Sequence, residues 1–271
     1  MDLARQRVGI LGIGELAGFI LRGCEEAGYP FVLSPRNHQL STQFAARFGA
    51  EIATGNQDVV ARSDLIVVCL PAATGLDVLT GLRFRPGQTV LSAMAGVAPA
   101  ALQAIVAPAQ AHCTMMPGYA NALGIGPSLL FPASPICHSF LSRLGPVHVF
   151  AEAGVFDTAC VFGGFSGASF GFMIAIIDWF TRHGVDPKTA RQLVAETLAG
   201  NAQVLQCVDA PLAEIAAGVA TPGGITQLCL EVLKTGNGLG QWDTALDAVL
   251  VRLKTSGPEC SKASGGGRKG L

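Results

Sequence analysis

Six residues near the start of the chain carry the first chemistry: Gly12-Ile13-Gly14-Glu15-Leu16-Ala17. The pattern is G-x-G-x-x-A, in which each small residue has a task. Gly12 makes a tight turn, Gly14 lets a pyrophosphate reach bare backbone, and Ala17 lets the following helix pack closely on its strand. The run ends the apolar segment "RVGILGIG" and opens the amphipathic segment "ELAGFILRGCEEAG". A strand before it and a helix after it are the context that a dinucleotide site requires. A tight strand-to-helix turn with no ligand is the plain alternative. The next strand, "FVLS", runs into Ser34-Pro35-Arg36-Asn37. NAD-binding domains place Asp or Glu there to hold the ribose 2′-hydroxyl. No carboxylate stands here, while Arg36 can pair with a 2′-phosphate and Ser34 and Asn37 can donate hydrogen bonds. NADP(H) is favoured over NAD(H).

Two further strand ends should border the same site. Cys69-Leu70-Pro71 and Ser92-Ala93-Met94-Ala95-Gly96 both close apolar strands. In an open α/β sheet, ligands bind beyond the carboxyl ends of the strands, and small residues at Ala93, Ala95 and Gly96 leave room for a nicotinamide ring. Ordinary strand-to-loop turns explain the same residues without a ligand. Far downstream stands Thr221-Pro222-Gly223-Gly224-Ile225-Thr226-Gln227. One reading makes it a helix start, with Thr221 as N-cap and Pro222 as the first helical residue. The other exposes bare backbone so that an anion can approach the helix N-terminus. None of the five histidines stands beside a nucleophile in a recognisable motif, so none is assigned a catalytic role.

The elements that must position these residues fall into two sets. The first half alternates apolar strands with amphipathic helices, which requires a parallel sheet covered on both faces. After about Ala153 strand signals stop, and helical patterns run over roughly 156–183, 187–208, 211–218, 223–235 and 239–254. The expected fold class is α/β: a Rossmann-type doubly wound parallel sheet over 1–153, an all-helical domain over 154–255, and a Gly/Ser/Lys-rich tail over 256–271 expected to be disordered.

Composition narrows the partners. Half of the 271 residues are hydrophobic and only 14% are charged, with a mean hydropathy of +0.45. A membrane or a large subunit interface must take up that excess. From Thr158 to Ile177 twenty residues carry no charge, long enough to span a bilayer. Four glycines, two serines and the lack of a basic flank favour an interface helix. The net charge of −1 gives no basic field for nucleic acid. Eight cysteines without a C-x-x-C pair, and no visible cleavable signal, read as reduced and mostly buried thiols in a cytoplasmic protein. No His/Cys group has the spacing of a zinc site.

Taken together, "GIGELAGFILRG", "VCLP" followed by "LSAMAGV", "MMPGYANALGIG", "FSGAS" on a long helix and "TPGGIT" occur in the order seen in pyrroline-5-carboxylate reductases. The resemblance covers roughly residues 7 to 254, and TPGGIT is its most specific element. It implies a Rossmann domain, a helical domain that interlocks with a second copy in a homodimer, and reduction of a cyclic imine acid to proline with NAD(P)H. Carried over by position, Gly12, Gly14, Leu16 and Ala17, with Ile13 and Glu15 between them, match the pyrophosphate loop. Ser34, Arg36 and Asn37 match the ribose-phosphate end, and Asn56 an asparagine that approaches the adenosine. Cys69, Leu70, Pro71, Ala93, Ala95 and Gly96 fall on the nicotinamide side. Gly223, Gly224, Ile225 and Thr226 match the loop that receives the substrate carboxylate, with Thr226 the catalytic candidate near the imine nitrogen, and Ser166 falls on the substrate side of the interface helix.

This chain departs from the family pattern at two places. Met116-Pro117-Gly118 stands where Met-Pro-Asn is usual, and Ser166-Gly167-Ala168-Ser169-Phe170-Gly171 where Ser-Gly-Ser-Gly-Pro-Ala is usual. A reductase of a different imine, or a catalytically silent NADP-binding sensor or scaffold, therefore stays open. A β-hydroxyacid dehydrogenase is disfavoured, because the long interdomain helix has no lysine and Lys188 falls beyond its end.

Overall fold

The computed structural model describes residues 6–255; the expected tail, together with Cys260, lies outside the described residues. The described chain divides into two compact units, 6–163 with 249–255 and 164–248.

The first unit is built on eight strands: β1 (Val8–Leu11), β2 (Phe31–Leu33), β3 (Glu51–Ile52), β4 (Leu65–Val68), β5 (Thr89–Ser92), β6 (Gln110–Met115), β7 (Ser128–Phe131) and β8 (Val147–Val149). Their order is β3-β2-β1-β4-β5-β6-β7-β8. Every neighbouring pair is parallel except β6 and β7, whose register sets Thr114 opposite Leu130. The helices between them are α1 (Glu15–Gly23), α2 (His38–Phe48), α3 (Asn56–Arg62), α4 (Ala72–Thr80), α5 (Pro99–Val106), α6 (Tyr119–Ala122), α7 (Pro135–Leu141) and α8 (Ala153–Ala159). The expected doubly wound Rossmann-type sheet is present.

Side-chain alternation explains why its strands read as unbroken apolar runs. Along β4, Leu65 and Val67 join a core cluster with Ile20 and Leu21 of α1 and Phe140 of α7. Ile66 and Val68 join a second cluster with Val59 of α3, Leu79 of α4 and Leu102 of α5. A strand buried on both faces keeps no polar side. β1 lies between β2 and β4, so the chain winds outward in opposite directions from the β1–β4 pair. That reversal opens a crevice beyond the carboxyl ends of those two strands.

The first unit runs past the boundary expected at Ala153. Phe156 and Cys160 are buried in the second cluster, and Leu253 packs against it, so α8 and the end of the last helix belong with the sheet.

The second unit takes in most of α9 (Phe162–Arg182), α10 (Pro187–Cys207), α11 (Leu212–Val219), α12 (Ile225–Thr235) and the start of α13 (Gln241–Thr255). It has little core: Ala190 and Val194 are its buried apolar residues. Phe170, Phe172, Ile174 and Trp179 of α9 are about half exposed. Ile225, Leu228 and Val232 on α12 recur at helical spacing and are 89%, 62% and 65% exposed. A face this apolar on isolated helices calls for a protein partner. Among the described residues one helical run, Ala153–Arg182, is long and apolar enough to cross a bilayer.

The seven described cysteines are free. Cys24, Cys113, Cys137 and Cys160 are buried as expected, whereas Cys207 and Cys229 are exposed.

Candidate functional site

The glycine turn is held from two sides. Gly12 has φ +92°, and its N–H donates to the Ser34 hydroxyl at 3.1 Å. Gly14 is the N-cap of α1 in an extended conformation with no side-chain cap, and nothing stands within 4 Å of where its Cβ would be. The first intrahelical bond runs from Gly18 N–H to Gly14 O at 3.1 Å. The N–H groups of Glu15, Leu16 and Ala17 are thus free of intrahelical acceptors and point to the crevice with the positive end of the helix dipole. Ala17 itself is fully buried against the sheet.

A groove of about 450 Å³ opens here. It gathers residues from β1, β2, α3 and β4: Gly12, Ile13, Gly14, Ser34, Arg36, Asn37, Asn56, Cys69, Leu70 and Pro71 all line it. No carboxylate lines it among the described residues. Open backbone at an uncapped helix start, an unopposed Arg36 and this volume fit a 2′-phosphorylated dinucleotide. Cys69 is no nucleophile, since burial pushes its thiol up to about 12.

Two expected phosphate donors also make hydrogen bonds within the fold. Ser34 is 1% exposed, and its hydroxyl already accepts the Gly12 N–H. Asn37 is the N-cap of α2: its Oδ1 accepts the Leu40 N–H, and its Nδ2 donates to Ile13 O, both at 3.3 Å. These bonds tie the β2–α2 turn to the glycine loop, and they leave the Ser34 O–H and the second Nδ2 hydrogen of Asn37 as donors. The buried Ser41 hydroxyl lies 2.8 Å from the carbonyl oxygens of both Ser34 and Asn37 and stiffens the same turn.

Ala95 and Gly96 line a different cavity of about 190 Å³, with Met94, Cys113, Phe156 and Asp157. Burial pushes the thiols of Cys113 and Cys160 up to about 12. Burial also raises the Asp157 carboxyl, with Lys254 pulling it part of the way back. Ala93 lies at the end of β5, its N–H bonded to Val68 O at 2.9 Å.

In the second unit the turn before α12 differs from expectation. Gly224, not Thr221, is the N-cap, and Ile225 is the first helical residue. Thr221-Pro222-Gly223-Gly224 is a turn closed by Gly224 N–H to Thr221 O at 2.9 Å. With Pro222 at its second position and Gly223 at φ +73° in its third, it has the form of a type II turn, which explains the Pro-Gly pair without a ligand. The Gly223 N–H is also used, donating to Gln227 Oε1 at 2.7 Å, while Gln227 Nε2 donates to Glu231 at 2.8 Å. The first intrahelical bond runs from Leu228 N–H to Gly224 O at 3.2 Å, so the N–H groups left for an anion are those of Ile225, Thr226 and Gln227, in the first turn of α12. The Thr226 hydroxyl carries no hydrogen bond among the described residues. Ser166 lies on α9, where its carbonyl accepts the Ser169 hydroxyl at 2.7 Å.

Comparison with known proteins agrees with both halves. Residues 155–255 match the family model described as pyrroline-5-carboxylate reductase dimerisation. Residues 7–96 match the model described as NADP oxidoreductase, coenzyme F420-dependent. The pyrroline-5-carboxylate reductase of Pseudomonas aeruginosa is 23% identical over 264 residues, spanning 92% of this chain and 96% of that protein. Among solved structures, the 1-pyrroline-5-carboxylate reductase of Streptococcus pyogenes superposes with a TM-score of 0.84 at 20% identity, covering 92% of this chain and 98% of that one. The NADP-bound pyrroline carboxylate reductase of Plasmodium falciparum gives 0.81 at 16% identity, covering 94% and 99%. The chain is thus similar along most of its length to pyrroline-5-carboxylate reductases, carries their dimerisation domain over 155–255, and is an NAD(P)H-dependent oxidoreductase of the kind that acts on carbon–nitrogen double bonds.

Proposed function

We propose that the protein reduces a cyclic imine acid with NADPH, and that its substrate is pyrroline-5-carboxylate, giving proline. The observation that carries the reading is the start of α12. There three main-chain N–H groups, of Ile225, Thr226 and Gln227, and the Thr226 hydroxyl remain unengaged among the described residues, while Gly223 and Gly224 are held by the turn. N–H groups at the positive end of a helix suit a carboxylate, and an adjacent hydroxyl suits a ring nitrogen. Gly224 accordingly shapes the turn and contributes no donor of its own.

Bound in the groove, NADPH would supply a hydride for the imine carbon. The protein's own part is to bind and orient. The uncapped start of α1 holds the pyrophosphate, and Arg36 holds the 2′-phosphate. The Ile225 and Thr226 N–H groups anchor the carboxylate, and the Thr226 hydroxyl orients the nitrogen or relays the proton that it gains. A protonated imine is a good electrophile, so positioning supplies much of the acceleration. A 1:1 loss of NADPH absorbance with pyrroline-5-carboxylate supports this reading. NADPH binding with no turnover on a panel of cyclic imines would instead make the protein a sensor or scaffold. Gly118 and Phe170 favour keeping imines of other ring sizes on that panel.

The helical half carries a dimerisation domain, and we assign its exposed apolar faces to a second copy of the chain. Light scattering should give twice the 27.9 kDa chain mass. Free thiols throughout the described residues suit a reducing compartment such as the cytoplasm.

A further inference from the structure

The groove that takes the nucleotide has one lining side chain with a ring nitrogen and no assigned role, His38. It is the first residue of α2, directly after the N-cap Asn37. Side chains on a helix lean toward its N-terminus, which favours placing the His38 ring by the end of α2, an end suited to an anion. The Asn37 Oδ1 caps the Leu40 N–H, which leaves the N–H groups of His38 and Gln39 at that end without intrahelical acceptors.

We propose that His38 is a second determinant of the preference for a 2′-phosphorylated nucleotide. It works beside Arg36, on the exposed part of the turn. The proposal rests on the NADP(H) reading of the groove. Three observations support it. The Ser34 hydroxyl is buried against Gly12. Both polar atoms of the Asn37 side chain are bonded within the fold. Arg36 and His38 are exposed on a turn stiffened by Ser41, with no carboxylate lining the groove to compete for them. Arg36 offers a fork of N–H donors and His38 a single ring donor, so between them they can hold two oxygens of one phosphate. The turn thereby divides its labour: residues 34 and 37 hold the glycine loop for any dinucleotide, and residues 36 and 38 read the phosphate.

The test is calorimetric and needs no turnover. The wild type, His38→Ala and Asn37→Ala are titrated with adenosine 2′,5′-bisphosphate and with adenosine 5′-monophosphate. The wild type should prefer the bisphosphate. His38→Ala should lose about tenfold in bisphosphate affinity, the scale of one charge-assisted hydrogen bond, while its monophosphate affinity stays unchanged. Asn37→Ala should weaken both ligands alike. Undiminished bisphosphate binding by His38→Ala overturns the proposal, as does an equal loss for both ligands. A wild type without preference for the bisphosphate overturns the NADP(H) reading itself, and the proposal with it.

Discussion

A side chain on Gly118 would place its Cβ 2.8 Å from the ring of Phe19. Gly118 also has φ +92° and ψ −78°, a combination that residues with a Cβ rarely adopt. Phe19 in turn lies between the Tyr119 ring, 4.4 Å away between centroids, and the Arg22 guanidinium, 5.1 Å from its own centroid. An asparagine at this position would meet both the Phe19 ring and an unfavourable backbone conformation. Gly118→Asn should cost about 2–4 kcal/mol of stability, read as a lowered denaturation midpoint. The Phe19→Ala, Gly118→Asn double variant should cost less than the sum of the two single changes, because the clash is removed once.

Asn121 is the fully buried staple of the same loop. Its Oδ1 accepts the Gly118 N–H at 2.9 Å, and its Nδ2 lies 2.8 Å from Gly126 O, 3.3 Å from the Ser128 hydroxyl and 3.3 Å from Leu144 O. Asn121→Ala strands several buried polar groups and should cost about 2–4 kcal/mol. Urea denaturation should show that loss, with binding of adenosine nucleotides retained in the folded fraction.

Thr226→Ala should lower kcat by about a hundredfold if the hydroxyl orients the nitrogen or relays its proton. The hydroxyl carries no hydrogen bond among the described residues, so the stability should hold within about 0.5 kcal/mol. Steady-state kinetics with NADPH and pyrroline-5-carboxylate, run beside a urea titration, separate the two effects.

His112 gives the stability a pH dependence. Its Nδ1 lies 3.0 Å from Pro132 O, its Nε2 is buried without a partner, and burial holds its pKa below the ordinary 6.5. The unfolded chain takes up a proton near 6.5 that the native ring resists. The stability it contributes is therefore present above pH 6.5 and is lost as pH falls from there toward the lower native value. Urea midpoints measured from about pH 7 down to 5 should decline, and His112→Gln should flatten that decline.

Much of this was legible in the sequence, for identifiable reasons. The glycine fingerprint has few structural solutions, so Gly12, Gly14 and Ala17 fell where expected. Strands buried on both faces betray themselves by continuous apolar runs. Hydrogen bonds between distant residues leave no such trace. The Ser34 hydroxyl meeting Gly12, and Asn37 reaching Ile13, depend on how β1 and β2 align. The start of α12 falls at Ile225 rather than after Thr221 because Thr-Pro is both a helix-start signal and the opening of a type II turn, and Gly223 at positive φ selects the turn. The exclusion of a side chain at residue 118 depends on Phe19, almost a hundred positions away, and the sequence leaves His38 without a role because a lone histidine after a strand carries no motif.

The central claim is that the NADPH hydride goes to an imine carbon held by the α12 turn. Its most direct test is label transfer. The protein is incubated with pyrroline-5-carboxylate and NADPH carrying deuterium at both C4 positions of the nicotinamide, and the proline is examined by NMR. The account predicts one deuterium per proline, on the ring carbon that was doubly bonded to nitrogen, for each NADPH consumed. Bound NADPH with no labelled proline, or oxidation that leaves the ring carbon unlabelled, would contradict it.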